Sequence, residues 1–361
     1  MIFLILIISI SLIIIFHELG HFLVAKKSGA IVEEFGVGLP PRIFGKEING
    51  TIYSLNLIPF GAFVKIFGEE NNLQEKGSFY NLSLGKRALI IAAGPFFNIF
   101  LAFLILVFGF SFIGLPALIF DDLKGEYKIV KEIPGVFVYE VAKDSPAEKV
   151  GIKPQDIILK VNNENIKSPD DLSSKIEKIG EKEISITIKR NNKEMDLKIT
   201  PQRKEDGKAR IGVAILKIGY LKYPVWESIK MVLNYIVSVF WGIFLIFFNL
   251  IKRFFNAPEI LQTTSGPVGI FFLLQNAYYM GINYFLFILA QISLTLGVIN
   301  LFPFPALDGF RIIFVGIEKI FKNNKEKVWF WERVLNTIGI FILIILMFFI
   351  TFSDISKFLR K

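Results

Sequence analysis

Cysteine is missing from all 361 residues, which excludes disulfides, thiolate metal sites and a cysteine nucleophile. Histidine is nearly missing: the chain holds 2, His17 and His21. Any metal must then be held by nitrogen and oxygen donors, and any imidazole chemistry is confined to one place. Charged residues make up only 20%, against 53% hydrophobic residues with 39 Phe among them, and the mean hydropathy is +0.54. That composition does not suit a soluble protein, so most of the apolar excess must face lipid. The formal charge of +9 sits mainly in the middle section and in short loops beside apolar runs. It reads as a positive-inside bias plus a solvated domain, and no nucleic-acid partner is expected.

What is present centres on His17-Glu18-Leu19-Gly20-His21, near the end of an apolar run from Ile2 to about Val24. Histidines four apart project from one helical face and can hold a single metal ion, with Glu18 beside them as a general base. In lipid such groups are costly, so their presence is itself a claim about function. Catalytic zinc takes three protein donors and a water, so one more nitrogen or oxygen is needed. Asp308 is the best candidate, because Pro303 and Pro305 break the preceding helix beside it. By spacing alone, Asp308 serves equally well as the N-cap of a helix starting near Gly309.

The first segment is long enough to span a hydrocarbon core of about 30 Å, and it lacks the basic start and small-residue cleavage site of a signal peptide. Lys26, Lys27, Arg42, Lys46, Lys65, Lys86 and Arg87 follow it, so this loop is expected in the cytoplasm and the N-terminus outside. Within the loop, Thr51 to Phe67 reads as a membrane-dipping β-hairpin turning at Pro59-Phe60-Gly61. Either it lines a cavity, as lipid requires of an open sheet edge, or it lies in the interface. Gly36 and Gly38, ahead of Pro40-Pro41, mark a closely approachable backbone. A second helix, about Leu84 to Ile113, carries Gly94-Pro95 and a polar Asn98 that must find a partner.

From about Tyr127 to Gln202 the chain turns polar, with alternating runs such as Ile184 to Ile188, and reads as an inserted soluble β-rich domain lying outside. Val225 to Ile251 could span by length. Bringing Asp308 to His17 and His21 requires an even number of crossings between about Ile113 and Ile282. The helix then either lies along the outer interface, the reading favoured by Lys222, Glu227, Lys230, Lys252 and Arg253 at its ends, or forms a hairpin with Ile270 to Tyr279. Asn283 to Phe302 is the next span, and Arg311, Lys319, Lys322, Lys325 and Lys327 mark a further cytoplasmic loop. About Val334 to Phe352 returns the C-terminus outside. The expected architecture is a polytopic α-helical membrane protein with about four transmembrane helices. Residues 1–126 and 205–361 form its membrane parts and residues 127–204 its inserted domain.

HELGH in a first membrane helix, NLFPFPALDG in a late one and a soluble domain between them resemble the site-2 protease family of intramembrane zinc metalloproteases, most closely the bacterial regulator-of-sigma-E protease type. GVGLPP, the Thr51 to Phe67 hairpin and AAGPFFN extend the resemblance over nearly the whole chain. The resemblance implies that His17, His21 and Asp308 ligate zinc, that Glu18 is the catalytic acid/base, and that Asn300 contacts substrate. Gly36 and Gly38 are expected to hold an unwound substrate segment together with the hairpin. It further implies transmembrane protein clients, such as anti-sigma factors or remnant signal peptides, and the bacterial cytoplasmic membrane. The middle domain resembles a bacterial PDZ domain through Asp144 to Ile152 and Asp156 to Asn162, with Gln155 where the family usually has Gly. Such domains place the loop that receives a peptide carboxylate at Pro134 to Val138, and they serve either peptide termini or substrate exclusion. The competing class is a non-catalytic membrane PDZ scaffold, which would have no use for a base at Glu18. A transporter is a third option, but the chain shows no inverted repeat.

Overall fold

Apolar residues uninterrupted by proline fold as helix α1 (Ile2–Ser28), which stops at Gly29 in a left-handed conformation (φ +85°) just after Lys26 and Lys27. A glycine past the end and cations in the last turn are the usual helix stop. The computed structural model describes residues 2–69, 74–118, 127–190, 193–203, 207–252 and 266–359, and Arg253 lies outside them. Two compact units share these elements: Met1–Ile105, Val232–Gln275 and Ile288–Lys361 form one, and Leu106–Met231 with Asn276–Phe287 the other. The N-terminal and C-terminal membrane parts thus fold largely as one body.

Among the described residues five helices are long and apolar enough to cross a bilayer: Ile2–Ser28, Leu84–Ile113, Val225–Asn249, Ile282–Asn300 and Lys325–Phe352. Sequence reading expects about four, and the additional one is α5 (Val225–Lys252). Besides α1 and α2 (Leu84–Phe108), the helical order continues with α6 (Pro267–Met280), α7 (Ile282–Asn300), α8 (Asp308–Ile320) and α9 (Lys325–Leu359). Tyr235 of α5 donates to Gln291 Oε1 of α7 at 2.5 Å, and further on Phe244 and Phe247 meet Phe302 at 6.3 and 4.8 Å between ring centroids. These contacts advance together along both chains, so α5 runs beside α7 in the same direction. A helix lying across the end of α7 could not follow it in this way.

Small residues set the helix spacing around the first helix. A Cβ at Gly20 would lie 2.5 Å from the Ala93 carbonyl oxygen, and one at Gly297 would lie 2.7 Å from that of Pro95. The glycines therefore let α1 and α7 both approach the backbone of α2, as small residues do in membrane interfaces. At the other end of α2, Arg87 is 2% exposed and pairs with Glu318 of α8 at 2.6 Å, while Trp329 of α9 donates to the same carboxylate at 3.0 Å. Removing one partner of such a pair costs about 3–5 kcal/mol, so this clamp fixes α8 and α9 against α2.

Strands β1 (Val32–Ile48) and β2 (Thr51–Ile66) are joined by Asn49-Gly50, both at positive φ, as a two-residue turn requires. The expected hairpin within Thr51 to Phe67 is not formed as such. Its two arms do not pair with each other, because the first part of β1 lies between them. Gly36 is partnered by Phe63 on one side and by Ser54 on the other, and Val37 by Ala62 and Leu55. The rest of β1 then folds back onto β2, with Gly45 opposite Ser54. Thr51 and Asn56 are buried inside this sheet and bond the carbonyls of Val32 (2.8 Å) and of Val37 and Gly38 (3.2 and 3.3 Å). Backbone at membrane depth has to be satisfied in this way.

In the other unit the main sheet has the order β12 (Val213–Leu216), β5 (Val136–Val141), β6 (Ile157–Val161), β8 (Ile184–Arg190), β9 (Lys193–Ile199), and β7 (Glu164–Asn165) pairs with β6. Two small sheets join β3 (Leu115–Leu118) and β4 (Lys128–Glu132) to β13 (Ile218–Lys222), and β10 (Gln202–Arg203) to β11 (Ala209–Arg210). Helices α3 (Pro146–Lys149) and α4 (Pro169–Ile179) each begin with a serine cap followed by proline. Val136, Ile158, Leu172, Ile186 and Ile188 form the core. The carboxylate loop expected at Pro134 to Val138 is corrected here. Strand β5 has neighbours on both edges, and a Cβ at Gly135 would lie 2.1 Å from the Ile158 carbonyl oxygen, so no peptide can add there. The outer strands of this sheet are β12 and β9. Gln155 adopts φ +76°, a left-handed conformation that glycine takes without steric cost.

Candidate metal centre

His17 and His21 stand one turn apart on α1, with their Nε2 atoms 3.2 Å apart. Asp308 Oδ2 lies 3.2 Å from His17 Nε2 and 3.6 Å from His21 Nε2. Zinc with tetrahedral ligands at about 2.0–2.1 Å separates neighbouring donors by roughly 3.3–3.4 Å. The three atoms therefore already stand at three corners of such a site, and among the described residues they are the group able to hold a metal. Burial alone would push the Asp308 carboxyl up, but hydrogen bonds and charge from His17 and His21 hold it well below the usual carboxylate range. It is therefore an anion facing two imidazoles.

The N-cap alternative for Asp308 is not realised. Leu307 occupies the N-cap of α8 without a side-chain bond, and the Asp308 carboxylate is left to the histidines. Several contacts deliver it there. Ala306 takes φ +78°, its N–H is held by Asn336 Oδ1 at 2.9 Å, and a Cβ at Gly309 would lie 2.1 Å from the Leu301 carbonyl oxygen. The turn after the prolines is thus too tight for a larger residue at 309.

Helix α2 passes behind the two histidines. His21 Nδ1 donates to the Ile90 carbonyl at 2.8 Å, which leaves Nε2 with a free lone pair for a metal. The acceptor is the residue before Ile91, whose carbonyl Pro95 leaves without its helical donor. Asn98 lies 3.3 Å from His17 Nδ1. Between these two contacts sits Gly94, where a Cβ would be 2.2 Å from His21 Nε2 and 2.6 Å from His17 Nε2. The glycine is the opening in which the donors converge. Gly94→Ala is expected to abolish metal binding while helix content stays at the wild-type level, measured by metal analysis and circular dichroism on the purified protein. Full metal occupancy in that variant would contradict the site.

A cavity of about 290 Å³ opens on the triad and is lined by Glu18, Asn300, Val64, Ile66 and Arg311 as well. Glu18 and Asn300 are thus brought to the centre. Gly36 and Gly38, expected at the substrate, are not among its lining residues. Both edges of the strand are taken at Gly36, where a Cβ would lie 2.4 Å from the Phe63 ring, and a Cβ at Gly38 would lie 2.6 Å from the Ile58 carbonyl oxygen. Their smallness lets β1 pass between the arms of β2.

Residues 5–346 match the model described as Peptidase family M50. The chain belongs to this family of site-2 proteases. As an M50 protein it is a zinc metalloprotease set in a polytopic helical membrane fold. It is 32% identical over 348 residues to a zinc metalloprotease of Clostridium perfringens, covering 96% of each chain. It is 26% identical to the regulator of sigma-W protease RasP of Bacillus subtilis, covering 97% of each. The solved PDZ domain of an SdrC-like protein from Listeria innocua aligns with 22% of this chain and 92% of its own at 26% identity, with a TM-score of 0.21.

Three residues at the M50 site escape sequence reading. Arg311 looks like a cytoplasmic loop charge, yet it lines the cavity and pairs with Glu69 at 2.7 Å and Glu332 at 3.4 Å. Its spacing of three from Asp308, which puts both on one helical face, was the available signal. Glu69 carries no such signal, because it reaches the site through the loop after β2. The role of Gly94 could not be separated from that of its neighbour Pro95.

Proposed function

We propose that this M50 protease hydrolyses peptide bonds within or near the transmembrane segments of client membrane proteins, with zinc held by His17, His21 and Asp308. The observation that carries the reading is the convergence of three zinc-compatible donors and Glu18 on one cavity. Zinc bound there would supply Lewis acidity and a water of near-neutral pKa. Glu18 holds the proton lost by the attacking water and returns it to the leaving amine. Asn300, on the cavity wall, contacts the substrate backbone. Residues Ala62 to Ile66 have β1 on one side, and Val64 and Ile66 line the cavity. An unwound client segment adds to their other edge as a strand, which exposes carbonyls that a helix hides.

The distribution of Lys and Arg supports a bacterial cytoplasmic-membrane location, with the metal centre near the cytoplasmic face and the PDZ-like unit extracytoplasmic. The outer edge of β12 supports docking of client peptide termini at that unit. Anti-sigma factors or remnant signal peptides fit this client class. The test is cleavage of a reporter with one transmembrane segment in proteoliposomes, with the cut mapped by mass spectrometry. Cleavage inside the segment, stopped by a chelator and restored by zinc, is expected. A cut confined to soluble flanks would overturn the intramembrane reading.

A further inference from the structure

Asn98 is fully buried in α2, and neither catalysis nor helix packing accounts for its side chain. Packing against α7 uses its backbone, since the Asn98 carbonyl accepts from Ser293 Oγ at 2.8 Å. The side-chain amide instead meets α1, with Nδ2 3.3 Å from His17 Nδ1, and Oδ1 has no hydrogen-bond partner.

His21 supplies the comparison. Its Nδ1–H is held by the Ile90 carbonyl, so Nε2 is the free nitrogen. For His17 to present Nε2 in the same way, its Nδ1 must carry the proton and give it to an acceptor. Asn98 Oδ1 is a buried acceptor without a donor, and a half-turn of the amide exchanges the oxygen and nitrogen positions. Ile90, Gly94 and Asn98 follow one another at four-residue steps along one face of α2. That face offers, in order, a backbone acceptor, an opening and a side-chain acceptor.

We propose that Asn98 is a positioning residue for His17: its Oδ1 accepts from Nδ1–H and fixes the tautomer and ring orientation that aim Nε2 at the metal. The proposal rests on His17 being a zinc ligand. Its test is the zinc affinity of the full-length protein in detergent, measured by competition with a chromophoric chelator, for wild type, Asn98→Leu and Asn98→Asp. Loss of an outer-shell acceptor weakens metal binding by about 10–100-fold. Asn98→Leu, which has similar bulk and no acceptor, should show that loss, whereas Asn98→Asp, which keeps an acceptor, should stay close to wild type.

A purely structural role gives the opposite ranking, because Leu fills an apolar site and Asp buries a charge. Wild-type affinity in Asn98→Leu, or weaker binding by Asp than by Leu, would overturn the proposal and leave the zinc site standing. Absence of zinc binding by the wild type would overturn both. Should the Leu variant not fold, Asn98→Ala takes its place with the same ranking against Asp.

Discussion

Glu18→Gln is expected to slow cleavage of a membrane-spanning reporter by about 10²–10⁴-fold, the usual loss when a positioned general base is removed, while zinc content stays at the wild-type level. The substitution preserves shape and removes only the ability to take a proton. Glu18 follows His17 on α1 and lines the cavity, but it is not one of the three converging donors. Zinc retention and loss of turnover should therefore separate cleanly. A non-catalytic scaffold predicts no difference between the variant and wild type in any assay of client turnover. Cleavage at the wild-type rate would remove Glu18 from the mechanism. The inactive, metal-loaded variant should also retain clients long enough for crosslinking to identify them.

Asp308→Ala is expected to lower zinc affinity by more than about 100-fold, since a direct ligand matters more than an outer-shell partner, and to abolish cleavage. Two nitrogen donors 3.2 Å apart would remain with no anion to balance a divalent ion. The fold should persist, because α8 is held elsewhere: Glu318 is clamped by Arg87 and Trp329, and Arg311 by Glu69 and Glu332. Asp308→Glu would not restore the site. The turn at Ala306 and Gly309 sets the helix start at a distance suited to the shorter side chain. The measurements are metal content, reporter cleavage and thermal melting of the same preparations.

Much of this was legible in the sequence because it is local. Two histidines four apart need only a helix to meet, and the apolar run around them guarantees one. Asp308 is distant in sequence: the two prolines before it and the need for a third donor nominate it no more strongly than an N-cap role does, and the resemblance to site-2 proteases is what favours the ligand. What escaped depends on partners that periodicity does not name. β-Branched and aromatic residues around a turn signal mark Thr51 to Phe67 as extended, but nothing in them says that β1 will lie between its two halves. The charges flanking α5 suit an interface, and they are silent about the aromatic contacts that pair it with α7. Gly36 and Gly38 read as a surface for substrate because small residues invite close approach, and the approaching group is Phe63 and Ile58 of the same sheet. Gly94 carries the same ambiguity resolved the other way, since what approaches it is the pair of histidines.

The most direct test of a site shared between the first helix and a late one is zinc content per chain for wild type, Glu18→Gln and Asp308→Ala, purified side by side without added metal. The geometry predicts one equivalent in the first two and almost none in the third. One equivalent retained in Asp308→Ala would mean that the metal is held elsewhere and that the convergence of His17, His21 and Asp308 is not the catalytic centre.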